Sequence, residues 1–444
     1  MEKKFLIILC CMVFCLSGCA KGQEAGYDLQ ETGQEAGRQG EEPASAGTAV
    51  PAACVDRMGY EPEKEKIVIF QGTGLPDTFA LVDAETDDVV YSGAIQKKGN
   101  EEDDDEYNAY GDFSAYERPG KYYIRTDIYG ESYPFLIHDN LYDSLLRSTF
   151  DGLYRLKDTK EYKAERDFVT DSALILYRLL LSYEMFPDIH GDDRGIRESG
   201  NAIPDLLDLC RIQADLLAEQ APGEGEDGIY QAAALAKYAY LTRSMDGESA
   251  EECLKAAESA WKSASQSLFV SDGQIAMAAA ELYRLTGSRQ YLGLTEDYLR
   301  AAAEKEDTLP EAEFYAAVTY MNTRSTVDME LCDALMKKIM EEAEQTAELA
   351  KQNPFLVCGQ DGGTDVLLQQ AGRLCVVNHI ITNHEYGTVI DNYLHFLMGR
   401  NPESICHISW WDADASISTD EEGKQDGARM AMLFFVLSER MTNE

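Results

Sequence analysis

Histidine is scarce in this chain, six among 444 residues, and none forms an HExxH motif or an i,i+4 pair. That removes the usual helical zinc arrangement. CxxC is absent as well. Beyond residue 19, cysteine stands only at 54, 210, 253, 332, 358, 375 and 406, an odd number at wide spacings and mostly at apolar helical positions. Such cysteines read as buried thiols rather than as a disulfide framework. Basic residues are outnumbered, 39 Lys and Arg against 80 Asp and Glu, for a formal net charge of −41. A surface this acidic repels phosphate backbones and anionic lipid, which argues against a nucleic-acid partner, while a neutral polysaccharide is indifferent to it.

Long hydrophobic runs are missing too. The longest opens the chain, Phe5 to Leu16 after Lys3 and Lys4, and it is short for a membrane span. Leu16-Ser17-Gly18-Cys19 has the form of a bacterial lipoprotein cleavage box, so residues 1–18 read as a signal peptide and Cys19 as the lipidated first residue of an exported, surface-anchored protein. Residues 19–52 are Gly, Glu, Gln, Ala and Ser without periodicity. They form a tether whose coil span is on the order of 30 Å.

Residues 53–139 change character. Lys66 to Phe70, Thr78 to Asp83, Val89 to Ser92, Lys121 to Thr126 and Tyr133 to Ile137 are short strand candidates, with turns at Gly72, Gly74 and Pro76, at Gly111, and at Pro119-Gly120. This spacing predicts a small β-sandwich. The acidic run Glu101 to Glu106 reads as a solvated hairpin loop, with calcium chelation as the alternative.

From 140 to 444 helical periodicity takes over. Helices are expected near 141–156, 169–186, 202–219, 228–243, 248–267, 272–286, 288–304, 310–323, 327–351, 363–377, 384–398 and 426–441. Asn201 is expected to cap the third of these, with Pro204 in its first turn. Gly287-Ser288 and Asp246-Gly247 mark stops and starts.

Several stretches carry a specific resemblance. Phe168-Val169-Thr170 leads to Tyr183-Glu184-Phe186-Pro187, and Glu198-Ser199-Gly200-Asn201 runs into Ile203-Pro204-Asp205-Leu206-Leu207-Asp208. Cys253 to Trp261, Ala278 to Tyr283 with Thr286-Gly287, and Asp391 to Pro402 continue the pattern. Together they resemble family 9 of the glycoside hydrolases, the cellulase family. Gly59-Tyr60-Pro62, Asp112-Phe113-Ser114 and Ser132-Pro134-Phe135-Ile137 resemble the immunoglobulin-like module that precedes its barrel. The resemblance implies an immunoglobulin-like β-sandwich followed by an all-α (α/α)6 barrel, here shortened, with twelve helices forming six hairpins.

It also implies an inverting reaction on a β-linked glucan, in which one carboxylate activates water and a second carboxyl protonates the leaving oxygen. In the family the base lies in a DAGD motif just before the Val-Thr pair. Counting back from Phe168, that base falls on Ala164, which has no proton acceptor, and the motif's first Asp falls on Glu161. Glu165 lies one residue beyond the vacant place. The expected acid falls near Lys424, with Glu422 two residues upstream as acid or as part of a solvated loop. Trp410 and Trp411 form either a sugar-stacking platform or a hydrophobic plug. Arg400 is a further candidate for sugar binding.

The cleavage box and the resemblance together imply a surface lipoprotein bound to polysaccharide, degenerate in its catalytic motifs and weak or inactive. The alternatives are an inverting glycosidase with displaced carboxylates and a non-catalytic scaffold for glycan or protein. No cofactor is implied beyond the structural calcium of some relatives, and no EF-hand loop is present.

Overall fold

A computed structural model describes residues 51–72, 74–98, 108–156, 169–408 and 421–442, and within these not the side chains of 98 and 421–426. The signal peptide, Cys19, the tether up to residue 50 and the run Glu101 to Glu106 lie outside the described residues. Among those described, no helix is long and apolar enough to cross a membrane.

Among the described residues the sandwich has eight strands: β1 Ala53–Cys54, β2 Ile67–Gln71, β3 Thr78–Asp83, β4 Val89–Lys98, β5 Asn108–Asp112, β6 Gly120–Thr126, β7 Gly130–Glu131 and β8 Phe135–Ile137. Antiparallel pairing runs β1-β2-β5-β4-β3-β6-β7, and β8 pairs with β6. The long β4 serves both halves, Val89 to Ala94 against β3 and Ile95 to Lys98 against β5. Gly111, expected in a turn, sits inside β5 opposite Val68. A Cβ there would come within 2.6 Å of the Phe79 ring and 2.8 Å of Val68 Cγ1, so the glycine is a packing requirement.

Strand β2 is apolar on both faces for a physical reason. Val68 and Phe70 point into the sandwich core, while Ile67 and Ile69 join the core of the helical domain. Each such side chain contributes about 1.5–3 kcal/mol by leaving water. The joint is also hydrogen-bonded: Arg57 N–H donates to the Met398 carbonyl at 2.9 Å, and Tyr110 Oη donates to the Pro354 carbonyl at 2.8 Å.

Twelve α-helices follow among the described residues: α1 Leu141–Leu156, α2 Val169–Met185, α3 Asp205–Glu219, α4 Glu226–Thr242, α5 Gly247–Ala264, α6 Asp272–Thr286, α7 Arg289–Glu304, α8 Glu311–Met321, α9 Met329–Gln352, α10 Gly363–Ile381, α11 His384–Leu397 and α12 Glu421–Thr442. Even-numbered helices pack side by side around the axis, and odd-numbered ones cover them. The pattern follows from composition. α4 and α6 are buried on most sides by runs of alanine, whereas α7 and α9 bury one narrow stripe. Gly287 ends α6 in the left-handed conformation at φ 70°, and Asp246 caps α5 by accepting from Ser249 N–H.

At α3 the expectation is corrected. Pro204 itself occupies the capping position, and Asn201 lies in the preceding loop, where its side chain accepts from Ile203 N–H and donates to both oxygens of Asp208.

The barrel axis is tied by a buried ionic network. Glu281, fully sealed, accepts from Tyr177 and Thr319, each at 2.9 Å, and pairs with Arg284 at 2.6 Å. Lys237 and Arg284 both reach Glu184. Four even-numbered helices are joined by these contacts. All seven cysteines among the described residues are free thiols, four of them buried.

Candidate functional site

Because the even-numbered helices are parallel, their first turns gather at one end of the barrel. Acidic residues fill those turns: Glu226 and Asp227 on α4, Asp272 on α6, Glu311 and Glu313 on α8, and Asp365 on α10. This is the mouth of the barrel.

Its contacts are specific. Thr170 Oγ1 on α2 donates to Asp227 Oδ1 at 2.5 Å, and Gln274 Nε2 on α6 donates to Glu226 Oε1 at 2.6 Å. The same Gln274 closes the capping box of α6, accepting from Ser271 N–H at 2.9 Å. Arg178, one turn or two below the rim, pairs with Glu311 at 2.7 Å and donates to the Ala428 carbonyl at 2.9 Å. Burial works against the Arg178 charge, but Glu311 outweighs it and holds the guanidinium firmly protonated. Gln369 donates to the second oxygen of Glu311 at 3.3 Å, and Arg429 forks onto Asp365 with two bonds of 2.9 Å. Beside the mouth, Leu268 and Phe269 are 98% and 93% exposed on the loop into α6. That pair is an uncovered apolar surface next to a polar rim.

The sequence candidates stand in relation to this mouth as follows. Glu161, Ala164 and Glu165 lie outside the described residues, as do Trp410 and Trp411. Glu422 belongs to the first turn of α12, and its side chain is not described. The flanking elements do converge. A Cβ at Gly427 would stand 2.9 Å from Ile175 Cδ1 on α2 and 3.4 Å from Leu156 Cδ1 at the end of α1.

Arg400 is placed elsewhere than in an open cleft. It is 1% exposed beneath the sandwich, and Nη2 donates to Asn392 Oδ1 at 2.5 Å. Burial lowers its basicity. A sugar-binding role does not fit a side chain sealed in this way; its place is in the joint between the two modules.

Asp192, Asp205 and Asp208 offer oxygens within 4.8 Å of one another, the spacing of a cation site. Their surroundings do not fit one. Gly200 and Ala202 N–H donate to Asp192, Arg194 N–H and Ser199 Oγ to Asp205, and Asn201 to Asp208. These carboxylates fold their own loop, and the donors occupy the places that calcium would need. A cavity of about 250 Å³, lined by Asp143, Arg147, Gly191, Asp193, Arg194 and Met441, lies where α1 starts and α12 ends, at the opposite end from the mouth.

Asp227, Glu226, Gln274, Arg178 and Glu311 were not singled out from the sequence. The signal that marks them is the recurrence of acidic residues in the first turn of alternate helices.

The comparisons agree with this arrangement. The model described as "Cellulase N-terminal ig-like domain" matches residues 49–131, and that of "Glycosyl hydrolase family 9" matches residues 216–415. No curated protein matches the chain. Among solved structures, Bacteroides ovatus GH9 superposes with a TM-score of 0.67 at 17% identity, over 88% of this chain and 99% of that one. A metagenome-derived glycoside hydrolase family 9 endoglucanase gives 0.64 at 21% identity, over 80% and 84%. AaCel9A in complex with cellobiose-like isofagomine gives 0.65 at 18% identity, over 80% and 83%. At such identities the likeness is one of fold. The chain thus matches a cellulase N-terminal ig-like domain over residues 49–131 and glycosyl hydrolase family 9 over residues 216–415, on a fold shared with these structures.

Proposed function

We propose that the protein is an exported lipoprotein, anchored through Cys19 to the bacterial surface, that holds a β-linked glucan chain in the barrel mouth and hydrolyses it only slowly because the inherited catalytic motif is degenerate. The observation that carries this reading is the polar mouth formed by the first turns of the even-numbered helices, with exposed Phe269 and Leu268 beside it. Carboxylates and amides bond sugar hydroxyls, and an exposed ring packs on the C–H face of a pyranose. The neighbours named endoglucanases and the complex of AaCel9A with a cellobiose-like ligand support the substrate class. Slow turnover follows from Ala164, because removal of a general base costs about 10²–10⁴-fold.

The test is product release from labelled β-1,4-linked gluco-oligosaccharides by the full chain in detergent, beside Glu161→Gln, Glu165→Gln and Glu422→Gln. Slow release that survives the first two changes supports the reading. Rapid turnover that either of them abolishes would mean a base relocated within that loop, and would overturn the degenerate motif. Binding without any release would make the protein a glycan-holding scaffold, the reading that Ala164 favours second. Labelled fatty acid incorporated by the wild type and not by Cys19→Ser tests the anchor.

A further inference from the structure

The mouth contains a carboxylate that the inherited motif does not use. Asp227 is the second residue of α4, and its Oδ1 is bonded to the Thr170 hydroxyl at 2.5 Å. Thr170 stands in the first turn of α2, six residues after Ala164, so this bond fixes Asp227 beside the place where the vacated segment joins the barrel. Asp227 Oδ2 has no hydrogen-bond partner among the described residues, and the side chain is half-buried with access to the mouth.

Four of the neighbouring carboxylates are already engaged, Glu313 among them by Lys305 at 3.2 Å. Glu226 is held by Gln274, Glu311 by Arg178 and Gln369, and Asp365 by Arg429. A second feature calls for an oxygen from outside. Arg178, with 8% of its side chain exposed, carries a buried Nε–H that finds no acceptor among the described residues. Tyr230, one turn along α4 from Asp227, lies within the fields of Arg178, Glu226 and Glu311, and its hydroxyl stands 3.5 Å from Gln274 Nε2. The Asp227 face of α4 therefore looks toward the same polar floor.

We infer that Asp227 is the carboxylate that activates water in this chain, a role that rests on the hydrolase reading above. In the step, the water oxygen bonds to the anomeric carbon as the bond from that carbon to the leaving oxygen breaks. Asp227 Oδ2 takes the proton that the water loses. The leaving oxygen keeps the electron pair of the broken bond and takes a proton delivered by solvent. One water is consumed, and the configuration at the anomeric carbon inverts. Thr170 is a positioning residue, since it orients the carboxylate and leaves the other oxygen open.

The experiment uses the full chain with dinitrophenyl β-cellobioside, whose leaving group departs without a proton, so that only the base is tested. Asp227→Asn is expected to lower kcat by about 10²–10⁴-fold, with an unchanged melting temperature. Added azide is expected to restore turnover to Asp227→Ala and to yield the α-glycosyl azide, a product that a merely structural aspartate would not bring about. Thr170→Val is expected to lower kcat with little change in KM. Wild-type turnover that Asp227→Asn leaves intact, or a folded Asp227→Ala that azide does not rescue, overturns the role of Asp227 and leaves the hydrolase reading standing. A wild type with no turnover of this activated substrate overturns both.

Discussion

Asp56 and His395 meet at 2.8 Å across the joint between sandwich and barrel, both sealed from water. The other oxygen of Asp56 accepts from the Met58 and Gly59 amides at 2.8 and 3.0 Å, and the Tyr60 ring lies 5.0 Å from that of His395. One carboxylate thus shapes the first turn of the sandwich and docks it on α11. Asp56→Ala leaves a buried imidazole and two amides without their acceptor, and is expected to cost about 3–5 kcal/mol in urea denaturation. A loss below about 1 kcal/mol would mean that the apolar seam alone holds the modules together.

Gly59 sits at φ 130° with its missing Cβ only 2.2 Å from the Leu136 carbonyl oxygen. Gly59→Ala therefore pushes two backbone segments of the sandwich apart, three residues from Asp56. The expected cost is about 3 kcal/mol, against about 1 kcal/mol for Gly74→Ala, where φ is 72° but nothing lies within 4 Å. Melting temperatures of the two variants decide it; equal shifts would remove the steric argument.

Glu184 should dominate part of the acid limb. Burial alone would raise its pKa, but Arg284 and Lys237 prevail and hold it at about 2, below its ordinary 4.5. A depressed carboxyl contributes stability that is complete above pH 4.5 and is lost as pH falls towards 2. The contribution is on the order of 3 kcal/mol. In Glu184→Gln the deficit relative to wild type is expected to be widest near neutrality and to close across that window in denaturation curves. A deficit independent of pH would contradict the pairing.

His190 should act at milder pH. Its burial, and then the Arg194 charge, bring its pKa down to about 3, while the ring stacks on Phe434 at 5.7 Å. The unfolded chain binds this proton more readily than the folded one. Stability from His190 is therefore present above about pH 6.5 and falls with pH below it. His190→Phe is expected to flatten the stability profile between pH 6.5 and 4, and an unchanged slope would exclude the assignment.

The helical half was legible because its periodic segments are long and well capped: α6, α7 and α11 begin within one residue of their expected starts. Strand β5 was missed because a glycine signals a turn when its neighbours are unknown. At 111 the deciding neighbours, Phe79 and Val68, come from other strands. Arg400 stands among the sugar-binding candidates in the sequence because its burial depends on a sandwich that begins some 350 residues earlier. The mouth was hidden for the same reason. Thr170 and Asp227 are 57 positions apart, and Arg178 and Glu311 are 133 apart, so only the closed ring brings them together.

The parallel course of the even-numbered helices has an electrical consequence. Each helix start carries roughly half a positive charge from its aligned peptide dipoles. Six such starts in a ring amount to roughly three positive charges spread around the rim. The carboxylates of Glu226, Asp227, Asp272, Glu311, Glu313 and Asp365 stand where they offset that field. On a chain whose charge is −41 overall, the mouth becomes a zone of balanced charge, rich in donors and acceptors and open to an uncharged polymer.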